Sequence, residues 1–394
     1  MKILIVSWSI LPSRGGSSII VENLAKNFKK DELVVLGGRR LFQSNVETRN
    51  SDGPKFHYFF SELYFMGRGY KYFVWFRKLR FKPLVRKIKS LIKTENIDHV
   101  IGVYPNPFYC LAASIAAKEM GVSFSSYFHN TYTENVAITD PKAEQIQKQI
   151  FENSKQIFVM SKGMQKFYKE KYGLNKFTPL VHTFNESIKE ADLNSIPGVG
   201  KKQYKLVAIG NFNESNMDAT LRFAKTIHDS KKYTLSLFTH VPKVLLKKRG
   251  LDLGSIEYEG FVNPEEVHKV LQDYDICILT HGFTGGYGEI EYKTIFPTRT
   301  IPLLLAGKPI LVHSPSGSFL NDFIEENKCA ELIDTPSSDA IIQGLERIAN
   351  SEDYQIELVK AARKTAEQFY GPNVVKTFKE NLNAEKTAIN ETAV

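Results

Sequence analysis

With 394 residues, 42% hydrophobic and 24% charged, the chain is long enough for two ordinary domains and too evenly composed for a fibre or a disordered tail. Lys and Arg outnumber Asp and Glu by 52 to 43, and a formal charge of +9 points to an anionic partner: nucleotide, nucleic acid or membrane surface. Cys110, Cys277 and Cys329 lie far apart, which excludes a disulfide framework and a metal-ligand spacing and suits a reducing cytoplasm.

The opening "MKILIVSWS" has too short an apolar run for a secretory signal and reads as a first strand. No segment reaches the roughly 20 apolar residues that span a bilayer. A helix is expected over 18–29, where Ile20, Leu24 and Phe28 recur every four residues. "HVIGVY" (99–104) precedes a small-residue helix that ends on Gly121, while "FSSYFHN" (124–130) and "QIFVMS" (156–161) read as further strands. Polar sequence with Pro197, Gly198 and Gly200 then interrupts the pattern. The alternation restarts with "KLVAIG" (205–210) and a helix at 218–227. It continues through "YTLSLF", "SIEYEGF", the helix "PEEVHKVLQDY", "DICILT", "KPILVHS" and "CAELI".

Strand–helix alternation on this scale predicts parallel sheets with helices on both faces. The expected fold class is α/β: two doubly wound, Rossmann-like domains facing across a cleft. The expected domains are 1–185, a linker at 186–204, and 205–370. Residues 371–394 form a C-terminal helix and tail that pack back on the first domain, with the last residues frayed.

Between first strand and first helix stands "SWSILPSRGGSS". A dinucleotide fingerprint needs three glycines at G-x-G-x-x-G spacing, and a Walker loop needs Gly-Lys-Ser/Thr; neither is present. Gly15, Gly16 and Ser17 still place a glycine turn at a strand's carboxyl end and open a helix N-terminus, which favours anions. A plain serine-capped turn is the alternative reading.

The second half adds to the first reading. In "FPTRTIPLLLAGKPILV", Thr298, Arg299 and Thr300 lead a short helix with Pro302 in its first turn, the arrangement that would hold a diphosphate. "THGFTGGYGEIE" supplies Gly285, Gly286, Tyr287 and Glu289, the makings of a ligand loop. Tyr287 could stack on a base or sugar or simply pack, and Glu289 could bind sugar hydroxyls or stay solvated. Gly210 and Asn211 end another strand, at the edge where open α/β sheets bind ligands.

Taken in order, "KILIVSW…GGSSIIVENLAKNF", "VMSKGMQKFYKEKYGL", "LVAIGNF", "IEYEGFVNPEEVHKVLQDYDICIL" and "FPTRTIPLLLAGKPILV" resemble a bacterial glycosyltransferase of the GT-B fold, similar to family 4. That resemblance implies transfer of a sugar from a nucleotide-diphosphate donor to a glycan or lipid-linked hydroxyl acceptor, with retention and without a metal or other cofactor. It places the nucleotide mainly on the second domain, the acceptor mainly on the first, and a surface polysaccharide or glycolipid as product. It also makes His129 a hydrogen-bond donor in the transition state; a loop-capping histidine is the bland alternative.

The chain departs from the family where its paired glutamates would fall on Thr294 and Pro302, and where its basic residues would fall on Asn211 and Ser215. Arg299 is left as the clearest cation. These losses keep open a non-catalytic GT-B-like partner protein. A nucleotide-sugar epimerase is a further alternative, but it needs an acid/base pair that the sequence does not supply.

The stretch 68–93 carries ten Lys or Arg, six aromatics and no acid. Rings interleaved with cations suit the face of an anionic membrane, and a half-buried helix with a solvated basic side is the alternative. No nucleic-acid recognition motif accompanies it. The expected location is the cytoplasm, with peripheral contact at the inner face of the plasma membrane.

Overall fold

The structure is a computed structural model that describes all residues except 12–15, 41–52, 63–73, 137, 189–195, 229, 252, 253, 255, 285–287, 393 and 394. It divides into two compact units, Met1–Asn185 with Phe369–Val394, and Glu186–Gln368.

The first unit runs β1 (Ile3–Ser7), α1 (Gly16–Ala25), β2 (Leu33–Arg40), β3 (Lys55–Glu62), α2 (Val74–Thr94), β4 (His99–Tyr104), α3 (Pro107–Met120), β5 (Ser123–Phe128), α4 (Ala143–Asn153), β6 (Ile157–Val159), α5 (Lys162–Tyr172) and β7 (Phe177–Pro179). Its seven strands are parallel, in the order β3-β2-β1-β4-β5-β6-β7. β1 and β4 are buried along their whole length, as central strands covered on both faces must be.

α3 shows how the sequence writes its own boundaries. The Asn106 side chain accepts from the backbone N–H groups of Phe108 and Tyr109, Pro107 fills the first turn, and Gly121 ends the helix at φ 67°. Between these caps Ala112, Ala113, Ala116 and Ala117 are buried, so the helix lies close on the sheet. At Gly102 in β4 a Cβ would stand 3.0–3.1 Å from Cys110, which leaves glycine as the fitting residue.

α1 ends at Ala25, short of the expected 29, because residues 26–28 close as turns. β2 and β3 extend the sheet beyond the strands expected from the sequence. β2 runs straight into Gly37 and Gly38, which resemble a break, yet it pairs with β3 through both.

The second unit runs β8 (Tyr204–Ile209), α6 (Met217–Ile227), β9 (Tyr233–Phe238), α7 (Lys243–Lys248), β10 (Ile256–Gly260), α8 (Val267–Gln272), β11 (Ile276–Thr280), α9 (Glu289–Thr294), α10 (Thr300–Leu305), β12 (Ile310–His313), α11 (Phe319–Asn327), β13 (Glu331–Ile333), α12 (Ser338–Asn350) and α13 (Glu352–Ala366). Its parallel sheet has the order β10-β9-β8-β11-β12-β13. Ser337 and Ser351 cap α12 and α13 by accepting from Ala340 and Tyr354.

α14 (Gly371–Thr392) returns to the first unit. Its Phe378 meets Phe28 and Phe158 with ring centroids 6.2 and 4.8 Å apart, and Lys379 pairs with Glu32 at 2.8 Å. The backbone stays helical through Thr392, where the sequence suggested fraying. In both units the first strand and the fourth strand to join the sheet lie side by side, β1 with β4 and β8 with β11. The direction of winding reverses there, so each sheet has a crevice at its strands' carboxyl ends.

Candidate functional site

In the second unit Arg299 occupies that crevice. Its Nη2 donates to the Thr280 carbonyl at the end of β11 at 2.6 Å, and its Nη1 to the Asn211 carbonyl beyond β8 at 3.3 Å. Nε is buried with no partner. The side chain lies over Gly210, where φ is 116° and a Cβ would stand 3.1 Å from Arg299 Cδ. Glycine at 210 therefore serves both the backbone angle and the guanidinium. Burial pushes the Arg299 pKa down to about 10, which leaves it cationic at neutral pH.

The neighbours of Arg299 in sequence do not share its setting. Thr298 is exposed, whereas Thr300 is buried with an unpartnered hydroxyl. α10 has six residues and Arg299 as its N-cap, without a side-chain cap bond. The three-residue cluster expected from the sequence is thus one inward guanidinium between an outward and a buried threonine.

The loop after β11 is held at its root. Gly282 N–H donates to the Ser215 carbonyl at 2.9 Å and Phe283 N–H to Asp218 Oδ2 at 2.8 Å. A Cβ at Gly282 would stand 2.7 Å from Ser215 O and 2.8 Å from Asp218 Oδ1, so no other residue fits without movement. The Phe283 ring lies 4.7 Å from the His313 ring and 4.7 Å from the Arg222 guanidinium.

His313 Nδ1 faces the Ile333 carbonyl at 3.1 Å and must donate to it, so Nε2 accepts from Arg222 Nη1 at 3.0 Å. His281 Nε2 donates to the Tyr292 carbonyl at 2.7 Å. Burial pushes both histidines down to about 4, so both are neutral at pH 7. Asp218 and Arg222 stand 3.9 Å apart on one face of α6.

Asp218, Arg222, His281, Phe283 and His313 were not singled out from the sequence. The i,i+4 acid–base pair on α6 and the histidine ending β12 were the available signals. Of the expected loop residues, Gly285, Gly286 and Tyr287 lie outside the described residues. Glu289 is exposed and paired with Lys293. Asn211 is exposed, and its carbonyl also accepts from Asn216 Nδ2 at 3.0 Å.

In the first unit Gly15 lies outside the described residues. Gly16 begins α1, exposed, with nothing within 4 Å of where a Cβ would sit, and Ser17 is half-buried. His129 follows β5 directly, its ring edge-on to Tyr127 at 4.3 Å. Both ring nitrogens are buried without a partner. Burial, with a smaller contribution from His182, holds its pKa well below the usual imidazole range, and burial pushes His182 down to about 3. The hydroxyls of Tyr132 and Thr183 are buried and unpartnered as well.

Among the described residues no group of three or more His, Cys, Asp or Glu is placed to hold a metal ion. No described helix is long and apolar enough to cross a membrane.

Residues 14–184 match the family model described as Glycosyltransferase Family 4, a match that spans under half of the chain. Sucrose-phosphate synthase from Thermosynechococcus elongatus is similar in structure, with a TM-score of 0.68 at 12% identity over 98% of this chain and 100% of that one. HepE of Anabaena, solved with UDP and glucose, has a TM-score of 0.68 at 14% identity over 97% and 99%. The lipopolysaccharide outer core galactosyltransferase WaaB has a TM-score of 0.63 at 15% identity over 98% and 100%. No curated protein matches the sequence. The chain has the GT-B fold and is similar to glycosyltransferase family 4.

Proposed function

We propose that the chain is a glycosyltransferase that moves a sugar from a nucleotide-diphosphate sugar to a hydroxyl acceptor, with the donor held on the second unit. The observation that carries this reading is Arg299, a desolvated cation fixed between the carboxyl ends of β8 and β11. As the bond from the sugar's anomeric carbon to the diphosphate oxygen breaks, negative charge gathers on the leaving group. A positive group already in place stabilises that charge without reorganisation, an effect worth a few kcal/mol per donor. HepE, with the same fold, was solved with UDP-glucose.

The remaining parts of the reading follow from the chemistry of each unit. Neutral residues stand at Asn211, Ser215, Thr294 and Pro302, so Arg299 carries the diphosphate charge. On the first unit the neutral His129 ring keeps an N–H free for a sugar hydroxyl or for the acceptor. Retention, independence of metal, and an acceptor that is a glycan or lipid-linked compound of the cell surface complete the proposal. The protein would then work in the cytoplasm, against the inner face of the plasma membrane, meeting it through 68–93.

The test is donor binding and turnover across a panel of nucleotide diphosphate sugars. Arg299→Ala should lower turnover about a hundredfold, and Arg299→Lys should recover only part, because a lysine cannot reach both carbonyls as a fork. Unchanged affinity and turnover in Arg299→Ala would refute the diphosphate site. The substitutions at Thr294 and Pro302 favour a second reading, a non-catalytic partner protein. Sugar transfer or donor hydrolysis by the purified chain eliminates it.

A further inference from the structure

α2 is a 21-residue helix without an acidic residue. Its buried side chains are Leu84, Val85, Ile88, Leu91 and Ile92. At 100° per residue these occupy one side of the helix. Lys78, Lys82, Arg86 and Lys93 occupy a narrow strip on the other, all exposed. Lys89 lies on the same strip, half-buried, and pairs with Glu119 at 2.9 Å.

The engaged cations contrast with the rest. Arg80, off the strip, donates from Nε to the Phe60 carbonyl at 3.0 Å and stacks over the Phe59 ring at 4.7 Å. Lys78, Lys82, Arg86 and Lys93 have no hydrogen bond or ion pair among the described residues. Directly beside them stands Leu79, 61% exposed, the most exposed leucine among the described residues.

We propose that this strip of α2 is a docking surface for an anionic lipid bilayer. The cations run along roughly 22 Å of one helix, at 1.5 Å per residue, and match a flat, uniformly negative surface rather than a single bound ion. Leu79 distinguishes the two extended polyanions available. Between cations at a bilayer surface, an aliphatic side chain enters the boundary of headgroup and acyl chain. Against a nucleic-acid backbone it would face phosphates. The proposal extends the membrane-side reading above but does not depend on sugar transfer.

The experiment is co-sedimentation of the full chain with phosphatidylcholine vesicles, with and without phosphatidylglycerol. Binding should require phosphatidylglycerol and weaken steeply with added salt. The variant Lys78→Glu/Lys82→Glu/Arg86→Glu should bind at least about tenfold more weakly, and Leu79→Ala a few-fold more weakly. A control, Lys142→Glu/Lys162→Glu/Lys166→Glu, changes net charge equally at exposed lysines of the same unit and should bind nearly as the parent. Circular dichroism establishes that each variant is folded. Equal loss in both triple variants, binding to phosphatidylcholine alone, or tighter binding to a duplex oligonucleotide that the α2 variant abolishes would each overturn the proposal. UDP binding, measured in parallel, reports on the second unit's site and stays unchanged in the α2 variants.

Discussion

The two sheets share a winding order but finish their carboxyl ends with opposite chemistry. Beyond β8, β11 and β12 the second unit places Arg299, Arg222 and Asp218 with two hydrogen-bonded histidines. Beyond β5 and β7 the first unit gathers neutral groups, His129, Tyr132 and Thr183, that are buried without partners. One topology thus offers a charged crevice in one copy and an unsatisfied neutral one in the other. The topology selects the place, and the side chains at the strand ends select the ligand.

The comparison is tested most strongly by acid. Acid loads both units. His281 and His313 sit at about 4 in the fold, His182 of the first unit at about 3 and His129 well below its usual range, all under the unfolded value near 6.5. Between these pH values the unfolded chain binds more protons, so stability is whole above about 6.5 and falls as pH drops toward 4. The loss should be on the order of 3 kcal/mol per histidine. Denaturant titrations at neutral and mildly acidic pH measure it, and His313→Gln should flatten the dependence. An unchanged slope in that variant would show that the His313 hydrogen bonds contribute nothing to the acid sensitivity.

Glycines at two strand-to-helix loops sharpen the contrast. Gly282→Ala drives a methyl into the Ser215 carbonyl and the Asp218 carboxylate and should cost about 3 kcal/mol. Gly16→Ala meets nothing within 4 Å and should stay within about 0.5 kcal/mol. Equal costs in equilibrium unfolding would mean that the loop root of the second unit yields more easily than its contacts imply.

His129→Phe should have the smallest effect on stability. It removes two buried nitrogens that bond to nothing, so the fold should be unchanged or up to about 1 kcal/mol more stable. Sugar transfer should nonetheless fall. A marked destabilisation would reveal a hydrogen-bonded structural role for the ring.

Much of the fold was legible in the sequence. "HVIGVY" is β4, and Asn106, Pro107 and Gly121 mark the bounds of α3 where the chain itself can satisfy the helix ends. β2 and β3 were not legible. Gly37 and Gly38 look like punctuation in the sequence, and a strand that continues through them is stabilised only by its pairing partner. Of the site, Gly210 was legible at a strand end and Arg299 at the head of a short helix. That they touch each other, and that Arg299 turns inward onto two carbonyls, was not, since they lie far apart in the chain.

By itself the sequence determined the strand–helix alternation, the helix caps and the basic composition of α2, because each depends on neighbours within a turn or two. The tertiary structure decided which charges face the crevice, which cations of α2 are left unpaired and which histidines are stripped of water. Those outcomes depend on burial and on partners distant in sequence, and no local pattern encodes either.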